Sequence, residues 1–175
     1  QFQIKDLTLE EVPEMRLSPM YFYHPEFLLP AYRSDFSDGT DGWGDSGGAL
    51  DGNIDGIDGE DNVLQFTAEG GGVHYIRKSL FTVGKKYKLT GKIYIPSSAP
   101  NIKKVRVVMD RSGDDVVDAD YETTTVDSWV SFSMEFNATV TSLIIYSRPS
   151  SGYSYTGAPD GTDQFQVKDF VLTEE

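Results

Sequence analysis

Residues 87–95 read Tyr87-Lys-Leu-Thr-Gly-Lys-Ile-Tyr-Ile95. Tyr87, Leu89, Gly91, Ile93 and Ile95 fall on one side of an extended chain, and Lys88, Thr90, Lys92 and Tyr94 on the other. An apolar period of two marks a half-buried strand, because successive side chains leave an extended backbone on opposite faces. Thr82-Val-Gly-Lys-Lys86 ahead of it is a turn, and the segment Pro96 to Pro100 ends it. The same pattern recurs on both sides. Toward the N-terminus, 63–68 places Leu64, Phe66 and Ala68 on one face. Gly70-Gly71-Gly72 is a turn, and 73–78 alternates Val73, Tyr75 and Arg77 with His74, Ile76 and Lys78. Toward the C-terminus, 104–109 points Val105, Val107 and Met109 inward, with Lys104, Arg106 and Val108 outward. Segment 129–136 buries Val130, Phe132, Met134 and Phe136, and 141–148 sets Leu143 and Ile145 against Ile144, Tyr146 and Arg148. Residues 110–120 form an acidic loop with room for a short edge strand, and 165–172 closes the domain. About eight or nine strands at roughly 8–15-residue spacing, without a helical stretch, predict an all-β fold. The expected architecture is an antiparallel two-sheet β-sandwich.

Upstream of this β region lies an acidic stretch. Residues 34–61 hold nine carboxylates, eight glycines and no Lys or Arg. Self-repulsion at this density calls for a neutralising cation if the segment is to be compact. Asp51-Gly-Asn53-Ile-Asp55-Gly56 matches the first half of a calcium loop, in which alternate oxygen-bearing residues reach one centre and the glycine permits the sharp turn. The twelfth position is Asn62 rather than Glu, so Asp58 or Asp61 is the expected late carboxylate. The competing reading is a solvated Asp/Gly loop.

The N-terminal 32 residues differ from both regions. Residues 1–11, Gln1-Phe-Gln-Ile-Lys-Asp-Leu-Thr-Leu-Glu-Glu11, match residues 164–174 at seven of eleven positions. This predicts the closing strand of an upstream module, followed by one complete module ending at the same point. Residues 12–32 carry Pro13, Pro19, Pro25 and Pro30, which exclude a long helix or a central strand. Met20, Tyr21, Phe22, Tyr23, Phe27 and Leu28 are nevertheless too apolar for a solvated linker. They either wrap onto the module's own sheet or form an interface with a neighbouring module or subunit. The domain reading is therefore 1–11 closing strand, 12–32 apolar proline-rich connector, and 33–175 sandwich module.

Composition narrows the function classes. The 175-residue chain has a net charge of −13 and no cysteine. It should repel nucleic acid and anionic membranes, it has no basic tract or membrane-length apolar run, and disulfides and thiolate metal sites are excluded. The absence of an initial Met or a signal peptide suggests a processed piece. No nucleophile elbow, metalloprotease or phosphate-loop motif is present, so no enzyme is expected. An acidic, Gly- and Tyr-rich, cysteine-free chain suits an extracellular setting, on a cell or virion surface.

Four stretches resemble the jelly-roll carbohydrate-binding modules of the family 4/9/22 type. They are Ser34-Asp-Phe-Ser-Asp-Gly-Thr-Asp-Gly-Trp43, Thr82-Val-Gly-Lys-Lys-Tyr-Lys-Leu-Thr-Gly91, Asp127-Ser-Trp-Val-Ser-Phe-Ser-Met-Glu-Phe136 and Gln166-Val-Lys-Asp-Phe-Val-Leu172. They resemble that family's opening, central and closing strands in the same order. The resemblance implies a two-sheet jelly roll with a structural Ca2+ between the first and last strands, where Asp35 would meet Asp169. Lys168 stands where such modules often carry a further Asp. The resemblance also implies aromatic and polar side chains that hold a glycan. The outward residues Lys92, Tyr94, Arg106, Tyr146 and Arg148, bordered by Tyr153 and Tyr155, are the expected ligand face. A basic-aromatic patch would suit an acidic glycan. The alternatives are that these side chains cover a second sheet, pack under the connector or pair with the acidic loops. Trp43 and Trp129 are expected in the core, with His74 and Tyr75 at the rim. Two functions follow: a non-catalytic glycan-binding or adhesion module, or a structural repeat of a filament, phage fibre or virion decoration protein that contacts copies of itself.

Overall fold

The computed structural model describes residues 30–70, 72–109, 120–148 and 160–175. Among them eleven strands pair antiparallel throughout: β1 (Tyr32–Ser34), β2 (Gly44–Ser46), β3 (Gly48–Ile54), β4 (Val63–Glu69), β5 (His74–Ser79), β6 (Lys86–Tyr94), β7 (Lys104–Met109), β8 (Asp120–Thr123), β9 (Val130–Asn137), β10 (Ser142–Arg148) and β11 (Asp160–Glu174). One sheet runs β3-β4-β11-β6-β9, with β1 sharing the β4 edge of β11; the other runs β2-β5-β10-β7-β8. They are called sheet A and sheet B below. The predicted two-sheet β-sandwich is present.

The alternation read from the sequence sets the core. Tyr87, Leu89, Ile93 and Ile95 from sheet A face Val105, Val107, Met109, Leu143 and Ile145 from sheet B, and all are buried. Packing is tightest around Phe170. Its ring meets those of Phe36, Trp43 and Phe132 at 5.4–5.8 Å between centroids. It also rests on Gly91, where a Cβ would lie 2.2 Å from the Phe170 ring. Gly91 therefore opens a socket in the middle of a central strand, so its place in the apolar row of β6 needs no side chain.

Two sequence expectations change here. Segment 34–61 is not one long loop: β2 and β3 lie within it, and β1 ends at its first residue. Tyr32, read as the last residue of the connector, belongs to β1. The expected calcium-loop segment 51–56 begins inside a strand. Asp51 to Ile54 belong to β3, paired with β4 through a bulge in which Asn53 takes φ +57°. The expected strand 1–11, the interface residues Met20, Tyr21, Phe22, Tyr23, Phe27 and Leu28, and the rim residues Tyr153 and Tyr155 lie outside the described residues.

Candidate functional site

The two sheets send their outward side chains in opposite directions, and this divides the expected ligand face. On sheet B, inward positions carry Ile76, Leu143, Ile145, Val105 and Val107, so parity turns Tyr75, Arg77, Ile144, Tyr146, Arg106 and Val108 outward. Strand register aligns Ser46, Tyr75, Tyr146, Arg106 and Glu122 in one row across all five strands. The neighbouring row runs Gly44, Arg77, Ile144 and Val108. Ile144 and Val108 are buried although parity points them outward, whereas Tyr75, Tyr146 and Arg106 are half-buried and Arg77 is exposed. The Tyr75 and Tyr146 rings meet edge to face, with centroids 5.4 Å apart. A Cβ placed on Gly44, opposite Arg77, would meet open space. At the β8 edge, Lys104 Nζ lies 3.1 Å from Glu122 Oε2.

This face combines an aromatic pair and guanidinium groups on one sheet. Aromatic faces suit the C–H faces of sugars, and guanidinium forks suit hydroxyls and carboxylates. Arg106 and Tyr146 from the expected set lie here. Arg148 occupies the next row of β10, in register with Lys104. The sequence reading left Tyr75 at the rim and did not select Arg77. Its signal was available in the 73–78 alternation, which puts both on the Tyr146 side once β5 pairs with β10. His74 is not a rim residue: it is fully buried, with Nε2 3.2 Å from the Glu69 carbonyl oxygen.

Lys92 and Tyr94 are on the opposite side of the molecule, on the outward face of sheet A. Lys92 forms an ion pair with Asp169 at 2.9 Å, and that bond holds its ammonium above the usual lysine range. Tyr94 is buried, although parity points it outward, because segment 55–61 lies across this face. The cover is hydrogen-bonded into place. Ile57 N donates to Gln166 Oε1 at 3.2 Å, and Trp129 Nε1 donates to Asp58 Oδ1 at 2.6 Å. Lys168 Nζ donates to Glu60 Oε2 at 2.6 Å. Beneath it, Gln65, Gln166 and Tyr94 stand in register across β4, β11 and β6. Trp129 is therefore a half-exposed support for this segment, 5.5 Å from the Tyr94 ring, and not a core residue; Trp43 is in the core as expected.

The seven expected calcium ligands are distributed over several elements. Asp35 accepts hydrogen bonds from Ser37 Oγ at 2.8 Å and Ser37 N at 3.1 Å, which hold its carboxyl below the usual range. Asp58 faces Trp129, Asp169 faces Lys92, and the Asp61 carbonyl accepts from Lys168 Nζ at 3.3 Å. Asp51 and Asn53 are exposed on β3, and Asp55 follows it. Among the described residues no three acidic or histidine side chains are placed to hold a metal ion. Asp35 follows the last β1 residue paired to β11, Ser34 opposite Phe170, which brings its backbone beside Asp169 as the resemblance implied.

No protein-family model and no curated protein matches the chain. Solved structures do match it in fold. The CBM22-1 xylan-binding domain of Paenibacillus barcinonensis Xyn10C superposes with a TM-score of 0.55 at 18% identity, over 83% of this chain and 94% of that one. The K3 cleaved adhesin domain of Lys-gingipain from Porphyromonas gingivalis gives 0.56 at 10% identity, over 83% and 99%. A family 16 carbohydrate-binding module gives 0.52 at 14%, over 81% and 97%. The chain thus has the jelly-roll β-sandwich fold of carbohydrate-binding modules.

Proposed function

We propose that this chain is a non-catalytic glycan-binding module of an extracellular, multi-module protein, and that it holds its ligand on the outward face of sheet B. The observation that carries this reading is the edge-to-face Tyr75–Tyr146 pair on the outward side of sheet B, in register with Arg106 and one row from Arg77. The fold match to xylan-binding and other carbohydrate-binding modules supports the ligand class. The guanidinium groups favour a xylan bearing uronic acid side groups over a neutral one. Affinity electrophoresis in gels containing glucuronoxylan, neutral arabinoxylan or no polysaccharide tests the proposal. Retardation by glucuronoxylan, lost in Tyr146→Ala while the melting temperature holds, is the expected result. Equal mobility in all three gels would remove xylan as the ligand.

A second reading, a structural repeat that contacts copies of itself, is favoured by one observation. The sequence of 1–11 recurs in β11, the strand paired on both edges in sheet A. Light scattering at two concentrations separates the readings. A monomer at both supports the glycan module, and growth with concentration supports assembly.

A further inference from the structure

The acidic segments hold cations already, and these are lysines. Lys168 extends from β11 under segment 55–61, with its side chain 11% exposed. Its Nζ donates to the Glu60 carboxylate at 2.6 Å and the Asp61 carbonyl at 3.3 Å, and stands 5.9 Å from the centre of the Trp129 ring. Lys78 repeats the arrangement from β5. Its side chain is 18% exposed, and its Nζ donates to the Asp41 carbonyl, lies 3.7 Å from Asp41 Oδ2 and sits 5.0 Å over the Tyr32 ring. Each ammonium therefore has one carboxylate, one main-chain carbonyl and one aromatic face. A hard cation in an acidic loop draws on the same oxygens. Lysine supplies the charge through a covalent tether, so no ion has to be recruited and held. Asp41 is further engaged by the Tyr32 hydroxyl, which in turn accepts from Trp43 Nε1 at 3.0 Å.

We infer that Lys78 and Lys168 neutralise and close the acidic stretch 34–61 at two points, Asp41 and Glu60–Asp61, in place of a calcium ion, so that the fold is metal-independent. Segment 34–61 carries no basic residue of its own, and both lysines come from strands that lie after it in the sequence, one from each sheet. The acidic segments are therefore completed only when both sheets have formed.

Thermal unfolding of the full 175-residue chain, followed by tyrosine and tryptophan fluorescence, tests this. The wild type is expected to melt at the same temperature in excess EDTA and in excess calcium. Lys168→Met, which keeps the apolar stem and removes the charge, is expected to melt roughly 5–10 °C lower. A wild-type melting temperature that falls in EDTA and returns with calcium would overturn the inference. So would a Lys168→Met protein as stable as the wild type. If that variant does not fold, the wild-type comparison still decides the matter.

Discussion

The outward faces of the two sheets are built from the same kinds of side chain and end in different states. On sheet A, the row Gln65, Gln166 and Tyr94 lies under segment 55–61, and the lysines beside it are answered by carboxylates, Lys92 by Asp169 and Lys168 by Glu60. On sheet B, Tyr75, Tyr146 and Arg106 are half-buried in one row, with the two tyrosine rings edge to face. Aromatic and basic residues on a strand's outward side therefore do not define a binding face by themselves. What lies across them decides it, and on sheet A that is an acidic segment from a distant part of the chain. The two faces should respond differently to substitution.

Phe170→Ala should have the largest effect. It empties the socket shared by Gly91, Phe36, Trp43 and Phe132 and should cost about 3–5 kcal/mol. Calorimetry should show both faces lost in one transition, since both rest on this core; two separate transitions would show that they do not. Tyr146→Ala should lower affinity for glucuronoxylan by roughly tenfold or more, on the order of 1–3 kcal/mol, with little change in melting. Trp129→Phe tests the cover of sheet A. It removes the donor to Asp58 and should destabilise by about 1 kcal/mol, leaving glycan retention intact. Loss of retention in that variant would move the ligand face to sheet A. The smallest effect belongs to Lys92→Ala, an exposed ion pair whose loss should shift melting by less than about 2 °C and leave retention unchanged.

These differences also mark where the sequence could be read and where it could not. The inward rows of β4, β6, β7, β9 and β10 were legible because alternation is a local property of the backbone. β1, β2 and β3 were not, since short strands in an Asp/Gly-rich segment owe their pairing to β11, β5 and β4 more than to their own residues. The half of the expected ligand face on sheet B follows from correct parity. The other half was misplaced because parity says in or out but not which sheet. Lys92 and Tyr94 share the outward parity of Arg106 and Tyr146 and lie on the opposite side of the sandwich. A count of carboxylates is blind to the lysines that reach the acidic stretch from β5 and β11, far away in the sequence. Lys168 was legible as a departure from the family pattern; its partner Glu60 was visible only in three dimensions.

The position of β11 also sets the order in which this molecule can be made. It comes last of the eleven described strands in sequence order, and it lies between β4 and β6 in sheet A. Until it arrives, the β3–β4 hairpin and the β6–β9 pair are two half-sheets with no strand between them, each with an unpaired edge facing the gap. Sheet A therefore waits for β11 and closes by inserting one long strand through contacts distant in sequence, a slow topology that leaves sticky intermediates. A nascent chain halted before residue 160 would present an open slot shaped for the sequence Gln-Phe-Gln-Val-Lys-Asp, and the nearest copy of that pattern is at residues 1–6 of the same chain.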